Sequence, residues 1–308
     1  MRKPVKNSLI VAGVVCLLAA AVTAGLLIWR NPFADRPECT VPGVTVEAAG
    51  SSTVSADVEL TVAQLHHAST INAVGLSRGI AERGRIIAMA TAYQESSLRN
   101  RTNGDRDSVG LFQQRPSQGW GSKDEILDPI YSTGKFYDAL LQVDDWPDLP
   151  LTEAAQKVQQ SAFPDAYAKW EPQATTLVRA LSGAAPVQLG CRAGGHRPTA
   201  VAPDRPAPAG TDDATPQLTA ALAAADAELG GLTVQDVADE GRTATVSVSL
   251  AELTSGAAGR TLAAWAVAHG TGMSITDVAV DQQLWTDHEW RTADQSLDAG
   301  VVRITVAP

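Results

Sequence analysis

Residues 90–121 read ATAYQESSLRNRTNGDRDSVGLFQQRPSQGWG, and the rest of the 308-residue chain is organised around them. An apolar helical run closes on Gln94-Glu95-Ser96-Ser97-Leu98. A polar loop then leads into a Gly110-Leu111-Phe112-Gln113-Gln114 turn. The spacing predicts a helix over 80–98, with Ile80, Gly84, Ile87, Ala88, Thr91, Glu95 and Leu98 on one face and Ile86, Met89 and Tyr93 on the other. A helix that is apolar all round is a buried one. Glu95 then sits near the end of a buried helix, where loss of water disfavours a carboxylate's charged form and suits the group to donate a proton.

Glu95-Ser96, followed about fifteen residues on by Gly110-Leu111-Phe112-Gln113 and then Pro116, resembles the paired motifs of the lysozyme-like superfamily, in its lytic transglycosylases and goose-type lysozymes. The resemblance implies an α-rich lysozyme-like domain that cleaves peptidoglycan glycan strands without metal or cofactor. It makes Glu95 the catalytic acid and Ser96 its partner on the helix. It sets Gln113, with Gln114 beside it, along the glycan cleft as substrate-binding positions. The longer string DRDSVGLFQQRPSQGWG is similar to a branch of this superfamily found in actinobacterial cell-surface proteins. One segment departs from the family. Lytic transglycosylases carry an Ala-Tyr-Asn run whose tyrosine reaches the glutamate, whereas residues 154–167 here read AAQKVQQSAFPDAY. Gln159, Tyr167 or Tyr131 is available for that space, and the sequence does not choose among them.

A hydrolase that inverts configuration needs a second carboxylate about 6.5–9.5 Å from the acid to activate water. Asp105 and Asp107 lie in the intervening loop. Asp105, in Asn-Gly-Asp, has the chemistry of a turn. Asp107, three residues before the Gly110 motif, is the second catalytic candidate. Trp120 either stacks on a sugar face or serves as a core aromatic with its N–H satisfied.

Arg2, Lys3 and Lys6 precede an uncharged run from Asn7 to Trp29, and only Arg30 follows it immediately. Roughly 20 apolar residues span a bilayer, and the excess of positive charge marks the cytoplasmic side. Residues 1–30 therefore read as a short tail and a signal-anchor transmembrane helix, placing the chain after about residue 30 outside the cytoplasm. The shorter apolar core of a cleaved signal peptide fits this run less well. One uncharged span offers no transport pathway. The net charge of −10 and pI near 4.9 argue against nucleic acid as a partner, since phosphate binding needs basic surface. Beyond the membrane run stand two cysteines, Cys39 and Cys191, which allow one intramolecular bridge. Closing a loop of about 150 residues, it would contribute roughly 5 kcal/mol on the chain-entropy model.

A first domain is expected over 39–191 and a second over 216–308, joined by a Pro-rich linker at 192–215, RAGGHRPTAVAPDRPAPAGTDDAT. In the first, residues 39–59 suggest a hairpin or extended lead-in. Helical patterns cover 60–74, 128–141, 152–161 and 167–181, with Ser77 as N-cap of the Glu95 helix. His66 and His67 lie on the first helix without a third metal ligand at suitable spacing, which makes them structural histidines. In the second, helices at 218–229 and 257–269 alternate with strands at 232–237, 243–250, 274–280 and 301–306, the pattern of a small α+β domain. The run GRTLAAWAVAHGTGMSITDVAVDQQLW with Trp290 and the terminal VVRITV resembles a C-terminal module of some actinobacterial cell-wall proteins. That module commonly ends in a His-Val-His strand, where this chain has Val301-Val302-Arg303. His269 and His288 lack a carboxylate in evident register, so no metal is expected, and the implied role is binding or spacing.

Two readings follow. One is a membrane-anchored, extracytoplasmic enzyme that cleaves peptidoglycan glycan strands, as a transglycosylase or a lysozyme. The other is a catalytically silent relative that keeps the fold to bind glycan or a surface partner. A purely structural envelope protein leaves the two motifs unexplained.

Overall fold

The computed structural model describes residues 38–48, 51–160, 166–192 and 206–308. The expected membrane helix falls on residues outside these. No helix among the described residues is long and apolar enough to cross a membrane. This corrects the fold class and the single-pass localisation read from the sequence. The long apolar helix that is present, Ser255–Met273, is apolar all round because protein covers it on both sides. The fold class needs a second correction. The described residues mix 44% helix with 19% strand and are not α-rich alone.

The N-terminal half opens with β1 (Cys39–Val41), the hairpin β2 (Thr45–Ala48) and β3 (Ser51–Val54), and β4 (Val58–Leu60). Helices α1 (Val62–Ser77), α2 (Glu82–Ser96), α3 (Lys123–Leu127), α4 (Pro129–Leu140), α5 (Leu151–Gln159) and α6 (Glu171–Leu181) follow. The chain then returns as β5 (Gly190–Cys191) against β1, giving a small antiparallel sheet ordered β4-β1-β5. Cys39 and Cys191 face each other in that register and form a disulfide across 152 residues.

Thr61 starts α1 through a capping box. Its hydroxyl accepts from the Gln64 N–H at 3.3 Å, and its own N–H donates to the Gln64 side chain at 2.9 Å. Ser77 does not cap the next helix as the sequence suggested. It is the last residue of α1, with its hydroxyl turned back onto the Val74 carbonyl, and α2 starts after Ala81. Gly79, at φ 64°, makes the break. Helix α2 is the axis of this half, touching α1, α4, α5 and α6, with Ile87, Ala88, Met89, Ala90, Thr91 and Ala92 fully buried.

The C-terminal half is a six-stranded antiparallel sheet ordered β10-β9-β8-β11-β7-β6. Its strands are β6 (Leu232–Ala238), β7 (Thr243–Val248), β8 (Ile275–Val280), β9 (Gln283–Thr286), β10 (Glu289–Thr292) and β11 (Val301–Val306). Helices α7 (Pro216–Leu229) and α8 (Ser255–Met273) pack on the sheet and on each other. Thr215 and Thr254 cap them, so helix begins two residues earlier than the periodicity placed it in both cases. The β9–β10 hairpin escaped the sequence reading. Its turn is Asp287-His288, both left-handed at φ 50° and 66°, in place of the usual Asn-Gly signal.

The two halves are not beads on a string. Helices α7 and α8 both pack on α1. The Gln283 side chain exchanges two hydrogen bonds of 3.0 Å with the Val187 backbone, and Trp290 Nε1 donates to the Leu189 carbonyl at 2.9 Å. Arg260 Nε donates to the Gly183 carbonyl at 2.8 Å. Residues 38–308 thus form one unit. Of the expected linker, 193–205 lies outside the described residues, and its last residue is the α7 cap.

Candidate active site

The site is built on the C-terminal end of α2. That helix stops abruptly because Ser97 and Leu98 both take left-handed backbone, at φ 56° and 57°. Their N–H groups return to the Tyr93 and Ala92 carbonyls and close the last turn. Non-glycine residues in this region cost on the order of 1–3 kcal/mol each and persist where the surroundings over-determine them. Here α1 supplies the constraint. Gln64 Nε2 donates to the Ser97 carbonyl at 2.9 Å, and His67 Nδ1 lies 2.8 Å from the Leu98 carbonyl. The Leu98 side chain is completely buried.

Glu95 sits one turn before that stop and is half-buried, more open to solvent than a fully apolar helix implied. Its Oε1 accepts a hydrogen bond from the Tyr167 hydroxyl at 2.7 Å, a well-formed O–H···O length. Of the three residues available for that space, Tyr167 therefore occupies it. Gln159 instead donates from Nε2 to the Phe112 carbonyl at 2.8 Å, and Tyr131 lies against Gly121, where a Cβ would meet its hydroxyl at 2.5 Å.

The turn that carries Tyr167 also brings Trp170 to the same helix end. The Trp170 ring stacks on Tyr93 at 5.0 Å, its Nε1 donates to Gln94 Oε1 at 2.9 Å, and the Lys169 ammonium lies 5.2 Å from its centroid. Burial pushes the Tyr93 hydroxyl well above the ordinary tyrosine range, so it stays neutral. Sequence reasoning missed Trp170 and Gln94. The available signal was an aromatic three residues after Tyr167, on the same turn.

The second motif lies directly behind. Ser96 is buried, and its hydroxyl donates to the Leu111 carbonyl at 2.7 Å while accepting from the Arg99 N–H at 3.1 Å. It joins the Glu95 helix to the Gly-Leu-Phe-Gln turn and has no face left for a glycan. Gly110 turns the chain at φ 81°, where a Cβ would stand 2.8 Å from the Ile126 carbonyl oxygen. Gln113 is half-buried and takes left-handed backbone at φ 49°. Its side chain accepts from Ser108 Oγ at 3.1 Å and donates to the Gly110 carbonyl at 3.2 Å. Gln114 is buried and donates to the Ser132 carbonyl at 3.1 Å, which makes it a support for α4. Trp120 is half-buried and packs against the core.

The two aspartates hold the loop in shape. Asp107 is exposed and accepts from the Ser117 N–H at 2.8 Å and the Ser117 hydroxyl at 3.1 Å. The Ser117 backbone N–H first, and its hydroxyl second, hold the Asp107 carboxyl below the usual carboxylate range. A carboxylate so stabilised is a weak base. Asp105 pairs with Arg115 at 2.7 Å on the surface. Among the described residues, no group of three metal-ligating side chains includes Glu95, Asp105 or Asp107. The arrangement offers one oriented carboxylate, an aromatic platform beside it and polar side chains at its edge. No protein-family model and no curated protein matches the chain.

Proposed function

We propose that this protein cleaves the glycan strands of peptidoglycan with Glu95 as its single catalytic carboxylate, in the manner of a lytic transglycosylase. The observation that carries the reading is the 2.7 Å hydrogen bond from Tyr167 to Glu95. It fixes the carboxyl group's direction at the exposed end of a buried helix, as proton delivery to a glycosidic oxygen requires. Glu95 protonates the oxygen between N-acetylmuramic acid and N-acetylglucosamine. The leaving sugar departs, and the same carboxylate, now ionised, takes the proton of the muramic 6-hydroxyl as that oxygen attacks the anomeric carbon. The product carries a 1,6-anhydro end, and the proton returns to Glu95 for the next cycle. Trp170 is suited to meet a sugar ring beside Glu95, whereas the Gln113 amide is turned onto Ser108 and Gly110. Asp107 favours this route over hydrolysis, because its carboxylate is committed to Ser117 and is a poor activator of water.

The test is the full chain with purified peptidoglycan, read by mass spectrometry. Anhydro-ended fragments are expected, falling by about 10²–10⁴ in Glu95→Gln. Hydrated reducing ends would replace the transglycosylase with a lysozyme. Sacculi bound by the wild type but never cleaved would leave a glycan-binding protein and end the enzymatic reading.

A further inference from the structure

The seam between the halves holds a second cluster of chemistry-bearing side chains, separate from Glu95. His66 on α1, Glu228 on α7 and His269 on α8 each offer one ligand atom, and these atoms lie within 4.8 Å of one another. The sequence hides this set, since its members are about 160 and 40 residues apart.

Its hydrogen bonds are arranged one-sidedly. His269 is 1% exposed, and its Nδ1 lies 2.8 Å from the Trp265 carbonyl. A carbonyl only accepts, so Nδ1 carries the ring hydrogen, and in the neutral ring Nε2 is a bare lone pair. That Nε2 lies 3.3 Å from Glu228 Oε1, yet it makes no hydrogen bond. Glu228, 5% exposed, already accepts from Thr70 Oγ1 at 3.1 Å on Oε1 and from Trp265 Nε1 at 2.8 Å on Oε2. In that neutral form, two acceptor atoms face each other in a buried space. His66 adds a third, with a ring centroid 4.1 Å from that of His269 and a buried Nδ1 that has no partner. Buried polar atoms without partners call for an occupant.

We propose that His66, Glu228 and His269 form a binding site for one zinc-class divalent cation that ties α1 to α7 and α8. Two imidazoles and a carboxylate are a donor set such ions accept, with ligand distances of about 2.0–2.2 Å. A tetrahedral ion with those bonds spaces its ligands roughly 3.4 Å apart, close to the Nε2–Oε1 separation here. The outer partners are in place as well. The Trp265 carbonyl fixes the His269 tautomer, and Thr70 and Trp265 orient the Glu228 carboxylate. Three protein ligands leave a fourth position for water. Of the three, His66 is the half-buried member.

The test uses the chelator-treated full chain, titrated with Co²⁺ alone and then Zn²⁺ alone. One equivalent of Co²⁺ should develop the visible absorption of a tetrahedral site and be displaced by Zn²⁺. At a hundredfold excess over Kd, Zn²⁺ should raise Tm on the order of 5–10 °C. Glu228→Gln should lose both responses. His66→Gln leaves the more buried Glu228–His269 pair intact, and it should keep the far-ultraviolet circular dichroism of the wild type while weakening binding at least tenfold. A wild type that takes up no stoichiometric ion, or a folded His66→Gln variant that binds as tightly as the wild type, would overturn the proposal. None of these readouts depends on glycan cleavage.

Discussion

Ser97 is the residue at which strain and function meet most directly. Its left-handed backbone ends α2 just past Glu95, and its carbonyl is held by Gln64. Glycine adopts that conformation freely, so Ser97→Gly should stabilise the protein by about 0.5–1 kcal/mol, a Tm gain of a few degrees by calorimetry. Tyr167→Phe removes the hydrogen bond that orients the Glu95 carboxyl group and leaves the buried ring in place. It should lower the rate of glycan release roughly 10- to 100-fold with little change in Tm. An equal loss of Tm would make Tyr167 structural alone. At this scale the sequence was legible for Glu95, whose position follows from helical spacing. It was not legible for Tyr167. Nothing local distinguishes that tyrosine from Tyr131, and only the return of the chain after 165 brings it back to α2.

Among the elements, α2 and α4 each bury a tyrosine that carries a measurable signature. Tyr137 on α4 is fully buried and donates to the Ile71 carbonyl at 2.9 Å, and Tyr93 on α2 is 7% exposed. Burial pushes both hydroxyls upward. A raised folded-state pKa leaves stability intact below the unfolded value of about 10 and erodes it as pH climbs above. Each tyrosine should take away about 1.4 kcal/mol per pH unit above 10, and Tyr93→Phe should remove one share of that slope in urea melts at pH 9 to 12. Gly75 on α1 lets Arg85 and Tyr137 approach, since a Cβ there would stand 2.6 Å from Arg85 Cγ. Gly75→Ala should cost about 1–3 kcal/mol despite its gain in helix propensity. The longer helices could be read from periodicity because their apolar positions recur over several turns, whereas the five-residue α3 was too short to register. Two- to four-residue strands such as β5 and β9 offer too few positions for alternation to register, and the partner of β5 is about 150 residues away.

For the whole molecule, the disulfide and the seam act at different points. Cys39–Cys191 closes the N-terminal half on itself, and Cys191→Ser should cost about 2–5 kcal/mol in chemical denaturation. The pairing was legible because only two cysteines lie beyond the first thirty residues. The joining of the halves was not. The proline-rich stretch between them looked like a spacer, and α8 looked like a helix of a separate small α+β domain. Its second apolar face has meaning only once α1 is known to cover it. In α1, Gln64 and His67 reach the turn behind Glu95, while Thr70 reaches Glu228 in the seam. One rigid rod therefore belongs to both halves. It follows that peptide-bond continuity between 192 and 206 is dispensable for holding the protein together. A chain severed there by an engineered protease site should migrate as one particle in native gel filtration and separate into two pieces only in denaturant. The C-terminal piece made alone would present the bare flank of α8 to water and should aggregate.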